Sequence, residues 1–204
     1  MAGITKLADI EHHGSPTQAP RTLRLSAGNA ALFDQLRNQS FPGGRAKERG
    51  GTIVADREGT LTLQNVGGFG STAGSFLPNL TIKDSSKYRA VGTFHTHPYD
   101  GVDGWMNGVS FSGGDIGHLL SNLLVISIVQ SGPRLFAFIR TALSPAVVDY
   151  VKVNNAQNAA IERRTLSGRT FQQSSRIEAQ LIAPMFSLAY YQGTHGALTR
   201  VSPA

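Results

Sequence analysis

The most apolar run of the chain, Leu119–Val129, is only 11 residues long and is broken by Ser121, Asn122 and Ser127. A membrane-crossing helix needs about 20 apolar residues, so this run is a buried element of a folded domain and no membrane span is expected. Around it the pattern changes repeatedly. Gly51–Ala55 is short and β-branched, and Thr60–Gln64 alternates with period two. With the turn Asp56–Gly59 between them, the two read as a hairpin. Tyr88–His95, Leu123–Gln130 and Arg134–Thr141 read as further strands, the last two joined by Ser131-Gly132-Pro133. Helical signals lie between and after them. Ser26 can cap a helix carrying Leu32, Phe33 and Leu36 on one face. Gly113–Leu120 starts another. Ser144-Pro145 is a helix-start signal, from which two helices are expected over 145–165 and 170–191. The expected class is α/β.

A length of 204 residues suits a single domain. Residues 1–25 are polar and broken by Pro16 and Pro20, and read as a flexible N-terminal arm before one domain spanning 26–204. Its His12-His13 pair reads as part of that arm. Segment 66–88 is rich in Gly, Ser and Pro and reads mostly as loop. The 40% apolar and 16% charged composition excludes disorder for most of the chain. With no cysteine, a disulfide scaffold, a thiolate metal site and a cysteine nucleophile are all excluded, so any metal must be held by His and carboxylates. The net charge of +6 comes from scattered residues, with Arg163-Arg164 as the one tight cluster, so nucleic acid is not the expected partner. No secretory signal is visible in the opening residues, because Asp9 and Glu11 interrupt any apolar stretch. The expected location is cytoplasmic, or export without a cleavable signal peptide.

The chemistry concentrates in His95-Thr96-His97-Pro98, followed by Ser112-Gly113-Gly114-Asp115. Side chains at i and i+2 of a strand share a face, so His95 and His97 can direct two imidazoles at one point. Asp115, in the first turn of the next helix, can add a carboxylate oxygen. Two His and one carboxylate leave a fourth tetrahedral position open, as catalytic zinc sites do. Ser112-x-x-Asp115 also fits a capping box, in which the two residues only close a helix end. His118, three residues after Asp115, can orient that carboxylate or serve as an ordinary helix residue. Trp105, the only Trp, stands in a Gly-rich loop over 99–111, as a lid, a substrate anchor or ordinary packing.

Together these residues resemble the JAMM (MPN-plus) metalloproteases, whose pattern is a Glu on an early strand, then His-x-His-Pro, then Ser-x-x-Asp at a helix start. The resemblance covers about residues 45–140. It implies a mixed, curved sheet flanked by helices, with the C-terminal helices as an extension. It also implies Zn2+ held by His95, His97 and Asp115, with Ser112 assisting the oxyanion. The implied general base is Glu48, which opens Glu48-Arg49-Gly50-Gly51-Thr52-Ile53-Val54 and stands 47 residues before His95. Glu58, in the hairpin turn, is the rival for that role, and Ser110 is the rival for Ser112. The 15 positions from His97 to Ser112 exceed the family's usual spacing, so the substrate stays open. A protein, a ubiquitin-like conjugate and a cell-wall peptide are all compatible, with a partner protein alongside. A narrower likeness is to a bacterial branch found in toxin-type and phage-associated proteins. A non-catalytic module of the same fold is the alternative to a hydrolase.

Overall fold

The computed structural model describes residues 6–11, 14–41, 45–67, 71–98 and 108–201. After a 3-10 turn at Leu7–Asp9, the regular elements in chain order begin with β1 (Thr22–Arg24), α1 (Ala27–Asn38), β2 (Gly50–Asp56) and β3 (Leu61–Gly67). Next come β4 (Tyr88–Thr96), α2 (Gly113–Ser121), β5 (Ile126–Ser131) and β6 (Arg134–Arg140). The chain then forms α3 (Tyr150–Leu166), α4 (Phe171–Met185), β7 (Leu188–Thr194) and β8 (Ala197–Arg200). The eight strands form one mixed sheet in the order β1-β8-β7-β6-β5-β4-β2-β3. The expected α/β class is therefore what the chain adopts. β4 and β5 are the parallel pair. Parallel neighbours need a crossover, and α2 lies within it. Among the described residues no helix is long and apolar enough to cross a membrane.

Each face of the sheet has its own core. Phe33 and Leu36 of α1 pack with Phe94, Ile126, Ile128 and Tyr191 on one side, and the Phe33 and Phe94 rings stack 3.6 Å apart. Phe111, Ile116, Phe136, Phe138, Ile182 and Tyr190 form the other core, beneath α2 and α4. Strands buried on both faces read as continuous apolar runs rather than alternating ones; β6 does so over Leu135–Ile139, while β5 is buried throughout and carries Ser127, Gln130 and Ser131 inside. Ser26 caps α1 as expected, its side chain accepting from Asn29 N at 3.2 Å.

Three expectations are corrected. Within the segment 1–25, the described residues 6–11 and 14–25 are not a free arm. Leu7, Ile10, Ala19 and Leu23 are buried in the α1-side core, and β1 pairs with β8. Single apolar residues spaced through polar sequence carry no periodicity, so this docking has no local signature. Ser144-Pro145 does not start a helix. Ser144 Oγ accepts from Thr141 N at 3.0 Å and donates to Ser187 O at 2.9 Å, closing a turn, while Asp149 caps α3 by accepting from Lys152 N at 3.0 Å. The helix expected to 191 ends at Met185, with Pro184 in its last turn and Ser187 at φ 50°. A left-handed residue stops an α-helix, and Leu188–Thr194 then pairs along β6. The short run Leu188-Ala189-Tyr190-Tyr191 is one that periodicity alone assigns equally to helix or strand.

Candidate metal centre

His95 stands near the end of β4 and His97 just past it, and both side chains line a cleft with residues of α2. Thr96 between them faces the other way, its hydroxyl 2.7 Å from Ser40 Oγ. The two imidazoles bring their Nε2 atoms to 3.0 Å. Asp115 Oδ1 lies 3.0 Å from His95 Nε2, and Oδ2 lies 3.5 Å from His97 Nε2. An ion bound tetrahedrally by nitrogen and oxygen holds its donors about 3.3 Å apart. One ligand atom from each residue lies within 4.8 Å of the other two, so the buried His95–His97–Asp115 group could hold a metal ion. On the far side of the ring, His97 Nδ1 faces Val109 O at 3.4 Å, the type of contact that orients a ligating imidazole. The ring of Phe76 stacks on His95 with centroids 5.8 Å apart and planes 15° apart.

Asp115 caps the helix and is also placed beside both imidazoles, where it could serve as a metal ligand. Ser112 N–H and Ser112 Oγ–H donate to its Oδ2 at 2.7 and 2.8 Å, and Asp115 N–H donates back to Ser112 Oγ at 3.3 Å. This is a complete capping box, and it fixes the carboxylate while Oδ1 turns toward His95. Burial would raise the Asp115 pKa, but His95 and His97 outweigh it and hold the carboxyl well below its usual range. Burial by itself lowers His95, and the Asp115 carboxylate reverses this to a net rise.

Glu48 reaches the same place by a different route. The chain before β2 runs antiparallel to β4: Gly50 pairs with His95, and Arg49 O accepts from Thr96 N at 2.8 Å. A Cβ on Gly50 would lie 2.2 Å from Phe94 O and 2.8 Å from His95 Cβ, so only glycine permits this approach. Glu48 lies on the same side two residues earlier, just outside β2 rather than on it. It is pinned by Glu48 N–H to Thr72 O at 2.8 Å and by Ser71 Oγ–H to Glu48 O at 2.6 Å. Glu48 is 3% exposed. Burial pushes its pKa up to about 7, against the pull of His97 and His95 and with a further push from Asp115. Glu58 stays exposed in the β2–β3 turn, its N–H donating to Asp56 Oδ1 at 2.9 Å.

Glu48, His95, His97, Ser112 and Asp115 all line one cleft of about 280 Å³. Ser110 does not; it is buried, with its hydroxyl 2.7 Å from Tyr190 Oη. His118 lines the cleft but does not hold Asp115. Its Nδ1 meets Asn122 Nδ2 at 3.1 Å, its buried Nε2 has no partner among the described residues, and burial lowers its pKa. Phe76, from the segment read as loop, and Tyr150, Asn154 and Asn158 of α3 complete the cleft. Sequence reasoning missed all four. The i, i+4, i+8 spacing of the α3 residues marks a shared helix face but not what that face meets. A Cβ on Gly113 would lie 2.2 Å from Asn154 O, so the glycine brings α3 against the start of α2. Trp105, with residues 99–107, and His12-His13 lie outside the described residues. Comparison of the chain with protein-family models, with curated proteins and with solved structures finds no match.

Proposed function

We propose that this chain is a zinc-dependent hydrolase of peptide or isopeptide bonds, of the kind its JAMM-like residues suggest. The observation that carries the reading is the convergence, in one cleft, of a buried carboxylate outside the ligand set with three donors spaced for an ion. His95, His97 and Asp115 would hold the zinc, since two imidazoles and one carboxylate suit that ion. When bound, zinc supplies Lewis acidity, polarising a carbonyl and lowering the pKa of a water molecule to about 7.

The remaining work falls to the chain's own groups. Glu48, whose pKa burial raises in the metal-free site, accepts a proton from the attacking water and passes it to the leaving nitrogen as the carbon–nitrogen bond breaks. A group whose pKa lies near the working pH can both take and return that proton. Ser112 holds Asp115 through two donated hydrogen bonds. Its hydroxyl proton is engaged there, so donation to an oxyanion requires the hydroxyl to turn from Asp115 Oδ2 toward the cleft. Phe76 backs the His95 ring and restrains its tilt.

The test has two arms. Full-length protein is expected to hold one zinc per chain by elemental analysis and to cleave members of an internally quenched peptide library. Loss of cleavage on chelation and its return with zinc are expected. A chain that holds no zinc, or that cleaves equally well in chelator, refutes the reading.

A further inference from the structure

Three glycines line up at the start of α2, and two of them are explained by packing. Cβ atoms on Gly113 and Gly117 would run into α3, 2.2 Å from Asn154 O and 2.8 Å from the Tyr150 ring. Gly114 is different. A Cβ there would meet nothing closer than 3.5 Å, so packing does not require glycine. The position is a notch in the wall of the cleft, and three oxygens surround it. Asn154 Oδ1 and Tyr150 Oη lie 3.5 Å from where the Cβ would be, and Ser112 Oγ lies 3.6 Å away.

The groups around the notch are oriented and have capacity to spare. Asn158 Oδ1 accepts from Gly113 N–H at 2.8 Å, and Asn158 Nδ2 donates to Asn154 Oδ1 at 2.9 Å. This relay turns the Asn154 carbonyl oxygen toward the notch, and a carbonyl oxygen has a second lone pair to offer. Tyr150 is 43% exposed, and its hydroxyl makes no hydrogen bond among the described residues, so it can donate. No Lys or Arg lines the cleft among the described residues, and Phe76, Leu77 and Pro78 add apolar lining to it. An acceptor and a donor in a notch without a cation match the N–H and C=O of a main-chain amide, and offer a free carboxylate no opposite charge.

We propose that the Gly114 notch is a substrate subsite, in which Asn154 Oδ1 and Tyr150 Oη bind one main-chain amide of an extended polypeptide beside the bond to be cut. The proposal rests on the hydrolase reading above, and its test separates the two. Cobalt(II) is loaded into the full chain in place of zinc, and its visible spectrum is used to titrate two hydroxamates. Acetohydroxamate reaches only the metal; acetyl-Ala-Ala-Gly hydroxamate extends along the cleft. The tripeptide probe should bind the wild type about tenfold more tightly, the worth of one or two net hydrogen bonds. Gly114→Ala fills the notch with a methyl group at ordinary contact distance and should erase that advantage, with the acetohydroxamate Kd unchanged within about twofold. Tyr150→Phe should lose part of it. A general disturbance of the fold would weaken both probes together. If the tripeptide has no advantage on the wild type, or Gly114→Ala keeps it, the subsite is wrong and the metal centre stands. If acetohydroxamate leaves the cobalt spectrum unchanged, the metal reading falls and the subsite falls with it.

Discussion

Replacing Glu48 by Gln in the metal-free protein should stabilise it above neutral pH and leave it unchanged in acid. The Glu48 carboxyl is buried, and its pKa rises from an ordinary 4.5 to about 7. A raised carboxyl pKa means that the folded state binds its proton more tightly than the unfolded state. Below pH 4.5 both states hold the proton and nothing is lost. Between pH 4.5 and 7 the unfolded state gains by ionising, so folding stability falls. Above pH 7 the full penalty applies. A difference of about 2.5 units at 1.36 kcal/mol each is roughly 3 kcal/mol. Gln has nearly the same volume and never ionises, so it removes the penalty. For a chain of this size about 3 kcal/mol corresponds to roughly 6–12 °C in Tm. Calorimetry of both proteins in chelator, at pH 4.5 and pH 8, reads the effect. The two should melt together at the lower pH, with Glu48→Gln higher by several degrees at pH 8. Zinc should narrow that gap, because a cation nearby favours the ionised carboxylate. A gap that does not depend on pH, or a Gln variant that is less stable at pH 8, refutes the argument that Glu48 is held in a desolvated site.

The same Glu48→Gln variant, loaded with zinc, should lose about 10²–10⁴ in turnover through loss of the general base, while Glu58→Gln, exposed in the β2–β3 turn, should match the wild type on the same peptides. His95→Ala, His97→Ala and Asp115→Ala should each bring zinc well below one per chain; full occupancy in all three, measured by elemental analysis, overturns the ligand assignment. Removal of residues 1–25 strips Leu7, Ile10 and Leu23 from the core, at roughly 1.5–3 kcal/mol each, and leaves β8 an open edge, so an unchanged Tm would contradict the docking of this segment. Limited proteolysis should not release residues 141–204 as a separable piece, because β7 pairs with β6 inside the sheet; a stable core ending near 140 would count against that arrangement.

The features that short-range geometry controls could be read in the residues themselves. His95 and His97 share a face because a strand has period two, whatever the strand pairs with. Ser112 and Asp115 mark a helix start because a capping box needs only four residues, and the same holds for Ser26 at α1. Where a choice depended on distant partners, local pattern was silent. Glu48 and Glu58 are the same side chain ten residues apart, and only the pairing of Gly50 with His95 carries one into the cleft and leaves the other in solvent. Leu188–Tyr191 is apolar enough for either a helix or a strand, and the free edge of β6 decided for a strand. Leu7, Ile10 and Leu23 look like stray apolar residues until the α1-side core covers them. Phe76 against His95, and α3 across the cleft, come from segments whose own sequence has no reason to face the metal residues. The sequence determined the donor chemistry and its presentation on one strand end and one helix start, because those depend on bonds within a few residues. The enclosing cleft, the burial that shifts Glu48 and the notch over Gly114 were decided by tertiary packing, because each is made by groups tens of residues apart that meet only when the sheet is complete.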